Sequence, residues 1–151
     1  MSATGASSDS GKNGVPVDLA HLARHTFGDR GLQQEVLALF ENQSAIWMER
    51  LKRAGDASEL SEAAHSLKGS ARGIGAWQVA ELAERLEVDG KATVGRLSML
   101  EGDKVPSQAA RDLTRDLEEA LGETNTFIKA FLEDSGSAAK GGEDGADMTL
   151  G

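Results

Sequence analysis

The chain has 151 residues, enough for one domain with a real core and too few for two full ones. It carries a formal net charge of -9, no cysteine, no tyrosine and only 4% aromatic residues. This composition excludes disulfides, thiolate metal sites and a cysteine nucleophile, argues against a nucleic-acid partner, and leaves Leu, Ala, Val and Ile to build the core.

Residues 1–16 form a polar, Gly/Ser-rich segment without the apolar stretch of a signal peptide, and a disordered tail is expected there. Residues 17–27 then pattern as a short amphipathic helix, opened by Asp18 and ended by Gly28. Asp29 caps a longer helix that reaches about Ala54, with Val36, Phe40, Trp47 and Leu51 at helical spacing and Leu32, Leu37 and Ile46 beside them. Gly55 suits its end. Asp56 followed by Glu59 resembles a capping box, and the helix it opens carries Leu60, Ala64, Leu67, Ala71 and Ile74 as one apolar seam up to Gly75.

A fourth helix starts near Ala76, buries Val79, Leu82, Ala83 and Leu86, and is expected to stop at Gly90. Residues 91–105 are then a long connection with at most a helical turn. Pro106 suits the first turn of a last helix bearing Leu113, Leu117, Leu121, Ile128 and Phe131, ending near Asp134. Residues 135–151 are rich in Gly, Ala and acid and are expected to be disordered. Nothing alternates at period two, so the expected fold is all-α. It is an antiparallel four-helix bundle over residues 17–134 with a short extra N-terminal helix. No apolar run approaches the roughly 20 residues of a membrane span, and a monomeric cytoplasmic protein without membrane contact is expected.

The informative stretch is residues 63–75, A-A-H-S-L-K-G-S-A-R-G-I-G. His65 lies about 100° from Ala64 and about 200° from Leu67 around the helix, which points it away from the apolar seam. Ser61, Lys68, Gly69 and Arg72 share its face at three- and four-residue spacing. A glycine inside a helix costs about 1 kcal/mol relative to alanine. Gly69, one turn from His65, leaves open space beside the imidazole where a phosphoryl group and its donor can approach. A neutral imidazole nitrogen is a competent nucleophile toward phosphorus, because histidine titrates around 6.5. Lys68 can neutralise phosphoryl oxygens as a point charge, and Arg72 can add attraction or meet a partner.

The pattern H-S-L-K-G-S-A at residues 65–71 resembles the signature of histidine-containing phosphotransfer (Hpt) domains of bacterial two-component phosphorelays. The resemblance extends to the whole layout of residues 17–134. It implies a four-helix bundle phosphorylated at His65, supported by Lys68, with access given by Gly69. It implies that the partners are receiver domains of response regulators or of a hybrid histidine kinase. Each receiver brings its own aspartate and Mg²⁺, so this chain binds no cofactor. Partner contacts at Ser61, Glu62 and Arg72 are expected from wheel geometry.

The chain lacks a Walker-type or kinase-like glycine loop, so it is expected to relay phosphate rather than take it from ATP, and not to be an enzyme. The alternative is a helical interaction module that binds a kinase or response regulator without carrying phosphate. A third reading, a domain excised from a larger kinase, fits less well with the Met1 start and polar ends. His21 and His25, four apart, fit surface positions better than a metal site, since no third ligand is near. Phe40 and Trp47 are expected in the packing. Asp112, Asp116, Glu118 and Glu119, and likewise Glu81, Glu84 and Glu87, are expected to be solvated helix faces.

Overall fold

The computed structural model describes the backbone of residues 15–97 and 105–150, and the side chains of residues 15–95 and 105–134. Five helices are present: α1 (Leu19–His25), α2 (Arg30–Arg53), α3 (Ala57–Ile74), α4 (Trp77–Leu97) and α5 (Gln108–Leu150). No strand occurs among the described residues. Helices α2 and α3, α3 and α4, α4 and α5, and α5 and α2 pack as neighbours, which closes a four-helix ring, and α1 rests against α3. Connections of two or three residues on either side of α3 force antiparallel neighbours.

Local chemistry sets the helix starts. The carboxylates of Asp18, Asp29 and Asp56 accept from the backbone N–H of His21, Leu32 and Glu59, each satisfying a donor left orphaned at a helix N-terminus. Ser107 does the same for Ala110 and also donates to Asp89 Oδ1 at 2.7 Å, which fastens the start of α5 to α4. Helix α3 ends on Gly75 at φ +79, and a Cβ there would lie 2.8 Å from the Cβ of Asp18. Only glycine allows α1 to approach this closely. Asp18 then accepts from the indole of Trp77 at 3.0 Å, which holds its carboxyl below the usual range.

The core follows the expected seams of α3, with Leu60, Ala64, Leu67, Ala71 and Ile74 all buried. On α2 the buried face is Leu37, Phe40, Ser44, Met48 and Leu51. Val36 and Trp47 are only partly buried at its edge, and Leu32 and Ile46 are exposed. The face is therefore turned slightly from the one expected, because Met48 enters it. Val79, Ala83 and Leu86 of α4 and Leu117, Leu121 and Ile128 of α5 complete the core.

Three helix boundaries in the second half of the chain differ from the sequence reading. Gly90 does not stop the fourth helix, which continues through it to Leu97. The glycine marks a close approach instead: a Cβ at Gly90 would lie 2.9 Å from the Ala57 carbonyl oxygen and 3.0 Å from Ser61 Cβ. Residues 91–97, expected in a connection, are helical, while 98–104 lie outside the described residues. Pro106 precedes the cap Ser107 rather than sitting in the first turn of α5. That helix extends past Asp134 to Leu150, through a segment that contains no proline to forbid it. Of the two ends expected to be disordered, residues 1–14 and the side chains beyond Asp134 lie outside the described residues.

Candidate functional site

His65 sits midway along α3 with 67% of its side chain exposed, on the edge that faces α4. Across the α3–α4 seam lies Glu87, whose side chain is only 5% exposed. Its Oε2 takes the His65 Nδ1 at 2.8 Å and the Lys91 Nζ at 3.0 Å. Its Oε1 meets the Lys68 Nζ at 2.6 Å, an ion pair rather than a well-aligned hydrogen bond. One buried carboxylate thus gathers an imidazole and two ammonium groups from two helices. Close packing of α4 on α3 at Gly90 brings it within reach, and the Ser61 hydroxyl, 3.4 Å from the Glu87 carbonyl oxygen, lies in the same seam.

Burial alone pushes the Glu87 carboxyl up; the Lys68 ammonium, then the Lys91 ammonium and the His65 N–H, outweigh it and hold it at about 2. Glu87 is therefore ionised at neutral pH and can only accept hydrogen bonds. Its partner Nδ1 must carry the proton. In a neutral imidazole this leaves the lone pair on Nε2, so the exposed ring has one defined nucleophilic nitrogen.

The expected site residues fall into separate environments. A Cβ at Gly69 would meet nothing within 4 Å, so the space beside His65 is open to solvent. Lys68 is on the His65 side of α3, but its side chain is only 16% exposed and its charge is committed to Glu87. Arg72 is half exposed and paired with Glu84 at 3.0 Å, while its carbonyl oxygen lies 3.0 Å from His21 Nε2. Glu62 is exposed, and Ser61 is buried.

Glu87 is the residue that sequence reasoning misplaced, having put it with Glu81 and Glu84 on a solvated face; only those two are exposed. The helical period carries part of the signal, its inward side but not its partners. Glu87 lies about 40° around the helix from the buried Ala83 four residues earlier. His21 docks α1, with Nε2 3.0 Å from the Arg72 carbonyl oxygen and its ring 4.8 Å from that of Trp77, while His25 stacks on His21 with ring centroids 4.1 Å apart.

Two hollows adjoin along α3, and His65 lines the first. One, of about 360 Å³, is lined by Ser61, Glu62, His65, Ser66, Glu87 and Lys91. The other, of about 730 Å³, lies between α2 and α3 against Ile46, Trp47, Arg50 and Ala63 and shares Glu62 and Ser66 with the first.

The Hpt domain model matches residues 31–130, most of the chain and all of the histidine-bearing helix. A four-helix bundle with an exposed helical histidine and this match define the class: the chain belongs to the Hpt-domain family. No curated protein and no solved structure matched the chain. Membership implies histidine phosphotransfer in a phosphorelay, as an intermediate rather than an enzyme, and Hpt domains in general interact with receiver domains and histidine kinases. Among the described residues no helix is long and apolar enough to cross a membrane.

Proposed function

We propose that this protein relays a phosphoryl group between receiver-domain aspartates through Nε2 of His65. The observation that carries the reading is the Nδ1–Glu87 hydrogen bond at 2.8 Å beneath an exposed ring, which fixes the tautomer and leaves Nε2 as the nucleophile.

In the charging step the Nε2 lone pair forms the N–P bond while the P–O bond to the donor aspartate breaks, and that electron pair stays on the carboxylate. The ring keeps its Nδ1 proton and becomes cationic, and the Glu87 carboxylate stabilises that charge at once. Discharge reverses the step onto a second aspartate, with the N–P electron pair returning to Nε2. Lys68 adds positive charge beside the reacting group from its place on Glu87, and Gly69 leaves the line of approach clear. The Mg²⁺ comes with the receiver, and no residue of this chain is assigned to it. The groove with exposed Ile46 and half-buried Trp47 supplies the apolar part of the docking surface, and exposed Glu62 lies on its rim toward His65.

The test is to mix the protein with a ³²P-labelled receiver domain and follow the label. The wild type is expected to gain an acid-labile, base-stable label that His65→Gln lacks. Equal labelling of the variant overturns the reading.

A further inference from the structure

Two lysines converge on Glu87, and they differ in what else they can do. Lys68 comes from α3 with its side chain 16% exposed. Lys91 comes from α4 with its side chain 68% exposed. Lys91 lines the hollow beside His65, and Lys68 does not. Lys91 and the imidazole also share one oxygen, Glu87 Oε2, so the ammonium stays within two hydrogen-bond lengths of the ring.

Building on the carrier reading above, we propose that Lys91 is the cation that contacts the phosphoryl group on His65, while Lys68 remains the fixed counter-ion of Glu87. A phosphoryl group brings nearly two negative charges close to a buried carboxylate, and some cation must move to meet it. The two candidate moves have unequal costs. Withdrawing Lys68 strips the buried Oε1 of its ion pair, and an uncompensated buried charge is strongly unfavourable. Withdrawing Lys91 leaves Glu87 with Lys68 and the His65 N–H still in place. The Lys91 head is already solvated on a flexible four-carbon stem, so it swings from Oε2 to a phosphoryl oxygen without further desolvation. Glu87 thus holds Lys91 at the site before the phosphoryl group arrives.

The transfer itself needs no added reactant. With phosphoramidate protonated on its nitrogen as donor, the donor P–N bond breaks, its electron pair leaves with neutral ammonia, and the Nε2 lone pair forms the new N–P bond.

The experiment charges the full chain with phosphoramidate and follows ³¹P resonances against pH, using the wild type, Lys91→Ala, Lys91→Arg and Lys68→Ala. Far-UV circular dichroism first establishes that helicity is equal in all four. A contacting cation favours the phosphoryl dianion, so Lys91→Ala is expected to raise the pH midpoint of the ³¹P shift and to slow charging roughly tenfold. Lys91→Arg is expected to restore both, and Lys68→Ala, which acts on the phosphoryl group only through Glu87, to shift the midpoint less than Lys91→Ala does. A midpoint unmoved in Lys91→Ala, or moved at least as far in Lys68→Ala, overturns the assignment while leaving the carrier reading intact. A wild type that takes no phosphoryl group at His65 overturns the carrier reading itself.

Discussion

At the scale of single residues, the arrangement around Glu87 explains how a surface histidine acquires a defined reactivity. A solvated imidazole divides its proton between two nitrogens; a buried, ionised acceptor 2.8 Å from Nδ1 removes that ambiguity. Glu87→Gln keeps the shape and an accepting oxygen but loses the charge that, in the proposed relay, stabilises the phosphorylated ring. Charging of His65 by phosphoramidate is expected to slow at least roughly tenfold, since charge-assisted hydrogen bonds are about twice as strong as neutral ones. A rate equal to that of the wild type would remove Glu87 from the mechanism. The relative placement of His65, Lys68 and Gly69 was legible in the sequence because all three lie within one helical turn or so, where the 3.6-residue period fixes their relation. Glu87 and Lys91 were not, because the rotation of α4 against α3 is a tertiary quantity. Three glutamates at three-residue spacing resemble one stripe, yet each step drifts about 60° around the helix and carries Glu87 into the seam.

At the scale of helices, two glycines of similar appearance do opposite things. Gly69 faces open space, and Gly90 faces the backbone of α3 at under 3 Å from where a Cβ would stand. Gly69→Ala is expected to raise stability by up to about 1 kcal/mol, the helix propensity gained without a clash. Gly90→Ala is expected to lower it by about 1–3 kcal/mol, because the helices must part to admit the methyl group. Urea denaturation measures both, and a Gly90→Ala midpoint at or above that of the wild type would show that the seam yields. The helix starts at Asp18, Asp29 and Asp56 were readable because capping is local chemistry. The end of α4 was misread because a glycine in sequence does not say whether it ends a helix or admits a neighbour.

At the scale of the whole molecule, the ring of four helices was foreseeable from period and spacing, and its acid response is led by the most strongly depressed carboxyl. The Glu87 carboxyl is held at about 2, below its ordinary 4.5, by contacts that exist only in the fold. A depressed carboxyl stabilises the folded state above the unfolded-state value, and that contribution disappears as pH falls from about 4.5 toward about 2. The urea midpoint of the wild type is therefore expected to fall across this window, and that of Glu87→Gln to fall less steeply. Parallel curves for the two proteins would show that Glu87 is not the source. Asp18, lowered by Trp77, contributes in the same direction and remains in the variant.

The two-residue turn at Gly75 and Ala76 makes α3 and α4 one helical hairpin, and the imidazole and its carboxylate stand 22 residues apart along it. The entropy of closing so short a loop is small, and it grows only slowly with length. The proposed reactive centre is thus topologically local. Its alignment is inherited from a single chain reversal, and the long sequence separation between α2 and α5 never enters the geometry that aims the nitrogen.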